Sequence, residues 1–256
     1  MTERPFDLIC EVEPATQPDL MRVRHQIGVM SEIADAFLIP DNHIGRATVS
    51  SIAVAHEVAQ MGGRSIACLN ARDRNVLGFR RDLLTAAAYG VDEFLFVYGD
   101  RPESGARSDD LTVRTMLAEA RAFAAQSGAL SPIRVGVASG LAPLPAWKRE
   151  ADVLFAQVSF SIDRLVEWRS SIEFDGPVYA GVMVVASPSM ARKLSAEIPQ
   201  LGIPGSILQR VEADRDAGVE IAAELVEQVR DSGAFDGVHL VPVSRYRQMA
   251  TRLAHG

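Results

Sequence analysis

"SIACLNARDRNVLGFRRDLLTAAAYGVDEFLFVYGD", residues 65–100, contains one complete structural repeat. "SIACLN" (65–70) reads as a buried strand. A helical stretch over about 75–89 follows and stops at Gly90, and "EFLFVYG" (93–99) reads as a second strand. A strand, a crossover helix and another strand within some thirty residues make a parallel βαβ unit, whose crossover is right-handed.

The same unit recurs outward in both directions. Upstream lie "FDLICEVE" (6–13), a helical run with Leu20, Val23, Ile27, Met30 and Ile33 at helical spacing, "AFLIP" (36–40) and a helix over 46–61 closed by Gly62 and Gly63. Downstream lie a helix from about Ser108, then "IRVGVA" (133–138), "VLFAQVSF" (153–160), "VYAGVMVV" (178–185) and "GVHLVPV" (237–243), with "RYRQMATRLA" as a closing helix. Helical or loop segments separate these strands, and one extra helix falls within about 204–232, before the last strand. Eight βα units in 256 residues predict a single-domain (β/α)8 TIM barrel. The competing architecture is an open doubly wound sheet, disfavoured because no glycine-rich dinucleotide fingerprint follows the first strand.

Composition narrows the partners. Hydrophobic residues make up 48% and charged residues 23%, with a net charge of −7 and no run of Lys or Arg. Neither nucleic acid nor an anionic membrane is the expected partner. Cys10 and Cys68 lie in apolar strand runs and read as buried thiols of a reducing, cytoplasmic compartment. No apolar stretch reaches the ~18 residues of a membrane span, and no metal-ligand spacing is present.

Barrel active sites lie at the carboxyl ends of the strands. The polar residues there are Glu11 and Glu13, then Asp41, Asn42 and His43, then Asn70, Tyr98 and Asp100, Ser139 and Gln157. Alternation puts Ile9, Glu11 and Glu13 on one face of the first strand and Leu8, Cys10 and Val12 on the other. By the same parity, Cys68 with Asn70, Phe96 with Tyr98 and Asp100, and Phe155 with Gln157 are expected to point inward. Such a ring of carboxylates and amides suits proton donation and recognition of a hydrogen-bonding heterocycle. Bland readings stand beside it. Glu13, next to Pro14, reads equally as a solvated residue or a cap, Asp100 in "YGDRP" as turn chemistry, and Asn42 and His43 as loop residues. His25, His56 and His239 read as structural, Glu57 as a solvated or helix-pairing residue, and Trp147 and Trp168 as packing.

Over 71–102, "ARDRNVLGFRRDLLTAAAYGVDEFLFVYGDRP" resembles methylenetetrahydrofolate reductase. That family carries an Arg-Asp-Arg-Asn turn, here Arg72 to Asn75, and a Leu/Ala-rich helix, then a strand ending in Gly-Asp with a nearby Pro, here Gly99 to Pro102. "CEVEP" is similar to its Phe-Glu-Phe-Phe-Pro strand, and "AQVSF" to its Thr-Gln-Phe-Phe-Phe strand. The resemblance implies Glu11 as the catalytic acid, Asp100 as an electrostatic partner for a cationic iminium, and Gln157 as the folate-binding glutamine. The strand-end reading adds Glu13 and Tyr98 as candidate substrate contacts, although Glu13 stands where the family has a Phe, and Asn42, His43, Asn70 and Ser139 as candidate cofactor contacts. The expected substrate is a tetrahydrofolate derivative and the hydride donor NADH or NADPH.

The departures are informative. Flavin-containing members carry a His where this chain has Cys68, and a Tyr-Pro-x-x-His loop and helix after the fifth strand. Here "ASGLAPLPAWKREADVLFAQ" (138–157) is shorter and lacks that His, with Lys148 and Asp152 as the only replacements. The expectation is the short, flavin-free branch, with no tightly bound FAD. An FAD- or deazaflavin-dependent reductase and a non-catalytic folate-binding barrel are the rival expectations. Arg245, Arg247 and Lys148 are candidates for a folate tail or a dinucleotide phosphate.

Overall fold

In the computed structural model, which describes residues 6–126, 132–198, 201–214 and 216–255, eight parallel strands close into a barrel in sequence order. They are β1 (Asp7–Glu11), β2 (Ala36–Ile39), β3 (Ser65–Asn70), β4 (Glu93–Val97), β5 (Arg134–Ser139), β6 (Val153–Ala156), β7 (Val178–Met183) and β8 (Gly237–Val241). The helices are α1 (Met21–Met30), α2 (Ser51–Gln60), α3 (Val76–Ala88), α4 (Val113–Gln126), α5 (Ile162–Ser171), α6 (Pro188–Glu197), α7 (Gly205–Ala213), α8 (Ala217–Asp231) and α9 (Tyr246–Ala254). Polar side chains mark helix starts: Asn75 Oδ1 accepts from Gly78 N at 2.8 Å ahead of α3, and Ser161 Oγ from Arg164 N at 3.3 Å ahead of α5.

Two features differ from expectation. The stretch over 204–232 holds two helices, α7 and α8, where one extra helix was predicted. The crossover from β5 to β6 carries no α-helix, only a 3₁₀ turn at Ala146–Glu150. Pro143 and Pro145 explain the latter, since each removes an amide donor and blocks the helical conformation of the residue before it.

Strand alternation sorts the apolar residues into two cores. Leu8, Cys10, Val12, Phe37, Leu69 and Phe96 belong to the core shared with the helices. Ile9, Leu38, Ile66, Cys68, Leu95, Val153, Phe155 and Tyr179 fill the barrel interior. Phe155 dominates the interior because β5 gives way to it: a Cβ on Gly136 would lie 2.6 Å from the Phe155 ring. Both cysteines are free and buried, and burial pushes the Cys10 thiol up to about 12. Among the described residues no helix is long and apolar enough to cross a membrane.

The amino-terminal end of the barrel is spanned by polar side chains. Arg64 pairs with Glu93 through Nε at 2.6 Å and approaches Asp7 at 3.5 Å. Arg134 meets Glu93 at 3.4 Å, and the Tyr179 hydroxyl donates to Asp7 Oδ2 at 2.8 Å. Burial, then the Asp7 bond, pushes the Tyr179 phenol from its usual 10.0 up to about 12. A raised native pKa favours the folded protein while the phenol is neutral, so this contribution is intact below pH 10 and is lost as pH rises toward 12. Urea titrations across that window should show wild-type stability falling, with this component missing from Tyr179→Phe.

Candidate active site at the carboxyl end of the barrel

Register at the closure decides the site. β8 pairs with β1 so that Ile9 lies opposite His239. Val238 and Leu240 pack into the outer core, which turns His239 inward. Its Nε2 stands 3.2 Å from Glu11 Oε2, with the side chains only 13% and 16% exposed. The approach lies off the hydrogen-bond direction, so Nε2 is buried without a hydrogen-bond partner. Beneath the pair, the Phe155 ring meets the His239 imidazole edge-on at 5.9 Å. Gln157 follows Phe155 two residues on, one position past the end of β6, and is half-buried. A Cβ on Gly140 would lie 3.5 Å from its Oε1, and its backbone N–H is fixed to Ser139 O at 2.8 Å. Its side-chain amide has no hydrogen-bond partner among the described residues. The barrel mouth therefore offers a carboxyl and an imidazole above an aromatic floor, with an uncommitted amide on the loop that follows β6.

Other predicted residues are held elsewhere. Glu13 lies beyond the end of β1, where Pro14 ends the alternation. Its carboxylate pairs with Arg22 at 2.7 Å in solvent, and its backbone is clasped by the buried Gln26 amide. Tyr98 and Asp100 do not share the inward face. Phe96 packs outward against Phe79 of α3 at 5.4 Å, while Leu95 and Val97 face inward. Tyr98 is exposed at the rim beneath the Arg72 guanidinium, and the exposed Asp100 accepts from Ile44 N at 2.9 Å. Ser139 shares the parity of the outward Val135 and Val137 and is buried, with its hydroxyl on Gly140 O.

Asn70 has the predicted inward parity, yet its amide is consumed. Its Nδ2 donates to Asp41 Oδ2 at 2.8 Å and to Asp73 Oδ2 at 2.9 Å, while Oδ1 accepts from Asp73 N at 3.0 Å. Asp41 also takes Arg74 at 2.7 Å. Asn42 holds a left-handed conformation at φ 47°, exchanges bonds with Thr48 and donates to Asp73 at 2.9 Å. His43 is an exposed residue of the adjoining 3₁₀ turn. These residues tie the β2–α2 and β3–α3 loops together.

Of the two residues offered for a flavin contact, Asp152 sits at the opposite end of the barrel, bound to Val135 N and Arg121. Lys148 Nζ donates to Ala138 O at 2.7 Å, and burial lowers its pKa from the usual lysine value. Arg245 donates to Ala186 O, and Arg247 meets His25 Nε2 at 2.7 Å on the outer helices. Glu57 pairs with Arg24 at 2.7 Å between α2 and α1. Trp168 packs with its Nε1 on Ala142 O at 2.9 Å. No group of three or more His, Cys, Asp or Glu side chains among the described residues is placed to hold a metal.

Sequence reasoning missed His239. The signal was present, because "GVHLV" (237–241) alternates with two apolar residues on one face and the histidine on the other.

No family model matches the chain, and no curated protein matches it in sequence. Solved structures share its fold. A protein from Clostridium thermocellum, described as binding two copies of 5-methyl-5,6,7,8-tetrahydrofolic acid, aligns with a TM-score of 0.63 at 11% identity, over 98% of this chain and 96% of that one. Tryptophan synthase from M. tuberculosis aligns with a TM-score of 0.54 at 14% identity, over 99% and 93%. A 2,3-dimethylmalate lyase does so with 0.53 at 13%, over 99% and 81%. At such identities the likeness establishes the barrel, not the reaction.

The Asn70 network makes its own prediction. Asn70→Ala strips the buried Asp41 carboxylate and the exposed Asp73 carboxylate of a donor, so chemical denaturation should show a loss of about 1–3 kcal/mol.

Proposed function

We propose that this chain is a methylenetetrahydrofolate reductase-like oxidoreductase that reduces 5,10-methylenetetrahydrofolate to 5-methyltetrahydrofolate with hydride from NADH or NADPH. The observation that carries this reading is the Glu11 carboxyl on the inner wall of the barrel mouth, 3.2 Å from His239 Nε2. Two further points support it. The motifs of residues 71–102 resemble that reductase family, and a barrel of the same fold is described as binding the methylated folate.

The chemistry asks for one proton and one hydride. Protonating N10 breaks its bond to the bridging carbon and leaves an iminium at N5. Hydride from the nicotinamide then adds to that carbon to give the methyl group and the oxidised dinucleotide. The Glu11–His239 pair supplies the proton as a unit: one member delivers it, and the other stabilises the charge left behind. Gln157 presents a donor and an acceptor to the pterin edge, and the Phe155 ring provides a dry floor. Asp100 is held to Ile44 N on the exposed rim, and this reading gives the proton step to Glu11 and His239 instead.

The short β5–β6 connection supports direct transfer without a resident flavin. It has no α-helix to present amides to a pyrophosphate, and its one lysine is tied to Ala138 O. A second reading, a folate-binding barrel without turnover, is favoured by the neighbour's description as a binder.

Turnover separates the two. NADH oxidation should depend on methylenetetrahydrofolate, and Glu11→Gln should lower kcat about 10²–10⁴-fold while folate still binds. Near-full activity in that variant would remove Glu11 from the chemistry, and absence of turnover in the wild type would leave the binding reading. The purified protein should also lack the flavin absorption band at about 450 nm.

A further inference from the structure

The carboxyl rim carries a second feature, separate from the Glu11 pocket. A cleft of about 650 Å³ lies between the loops after β3 and β4, lined by Arg72, Arg101 and Arg107 with Glu103 as its single acid. In a chain of net charge −7, three arginines facing one acid form a local reversal of sign. Two of these charges are already balanced: Arg107 pairs with Asp109, and Glu103 with Arg46. Arg72 and Arg101 form no ion pair among the described residues.

Arg72 is the telling case. Its guanidinium lies 4.6 Å from the Tyr98 ring centroid, and its Nε is buried with no hydrogen-bond partner. Stacking on a ring face offsets part of the cost of burying the cation but accepts no hydrogen bond from its N–H groups. A guanidinium held flat by an aromatic and left with an unmet donor is matched by a planar or branched oxyanion, which can take two parallel bonds.

The cleft is also preformed. Arg72 N donates to Tyr98 O at 3.1 Å, and Ser108 N to Arg72 O at 2.7 Å. Glu103 N donates to Gly45 O at 2.9 Å. Gly45, at φ +70°, lies so close that a Cβ would sit 2.0 Å from Arg101 O. The loop carrying Arg101 is thereby pinned against the 3₁₀ turn after β2.

We propose that Arg72 and Arg101 form an oxyanion-binding site that anchors the anionic tail of the small molecule reacting in the barrel. The identity of its carrier, though not the site itself, rests on the reductase reading. Under that reading the two sources are the pyrophosphate of the dinucleotide and the glutamate carboxylates of the folate.

The test needs no turnover. The full chain is titrated calorimetrically with inorganic pyrophosphate and, separately, with triglutamate, as wild type and as Arg72→Gln, Arg101→Gln and the control Arg149→Gln, whose partner Glu173 is exposed. At least one probe should bind the wild type, more weakly as salt rises. Each of the first two variants should weaken that probe about tenfold or more, and the control should leave it unchanged. Binding of pyrophosphate alone assigns the site to the dinucleotide, and binding of triglutamate alone to the folate tail. Arg101 is exposed, so its variant carries the test should Arg72→Gln fold poorly. No binding of either probe, or equal binding by wild type and both variants, would overturn the proposal. Absence of reductase activity in the wild type, with anion binding intact, would count against the reductase reading alone.

Discussion

The register between the last strand and the first governs what this barrel can do. With Ile9 opposite His239, every inward position on β1 and β8 follows, and a slip of one residue would send Glu11 and His239 into the helix layer. The outer core enforces this register. Leu8, Cys10 and Val12 on one strand, and Val238 and Leu240 on the other, are at most 6% exposed, and none of them could face a polar mouth without forfeiting that burial. The polar pair owes its place to the greasy residues on the reverse side of the same two strands.

Polar residues at the carboxyl face divide into those that are spent and those that are free. Asp41, Asn70, Asp73 and Arg74 satisfy one another, which rigidifies two adjacent loops and leaves nothing for a ligand. Glu11, His239 and Gln157 lack such closure. A buried polar group without a partner is costly, and in a native site that cost is offset when a ligand completes the bonding.

Much of this was legible in sequence, and the failures have causes. Strands β1 and β3 carry a polar residue in phase with apolar ones, so alternation assigned Glu11 and Asn70 to the interior correctly, whereas Gln157 stands one residue past the end of β6. Strand β4 is apolar on both faces, Phe94 and Phe96 against Leu95 and Val97, so its own residues give no phase. Carrying the alternation on to Tyr98 and Asp100 misled, because the strand stops at Val97 and Gly99 then turns through φ +92°. Asn70 was placed correctly but misjudged in role, since its partners lie three and twenty-nine residues away, and no local pattern reveals them. His239 has no metal-ligand spacing, and only the parity of Val238 and Leu240 beside it reveals that it faces inward.

The ionic lattice of Asp7, Arg64, Glu93, Arg134 and Tyr179 sits across the end of the barrel opposite the Glu11 pair. With the apolar layer packed above it, this lattice leaves the described barrel blind at its base, so traffic approaches from the carboxyl face. Were two reactants to meet at that mouth, the one seated deeper would enter first and depart last. Kinetic order in such a barrel is a property of its architecture, settled before any chemistry begins.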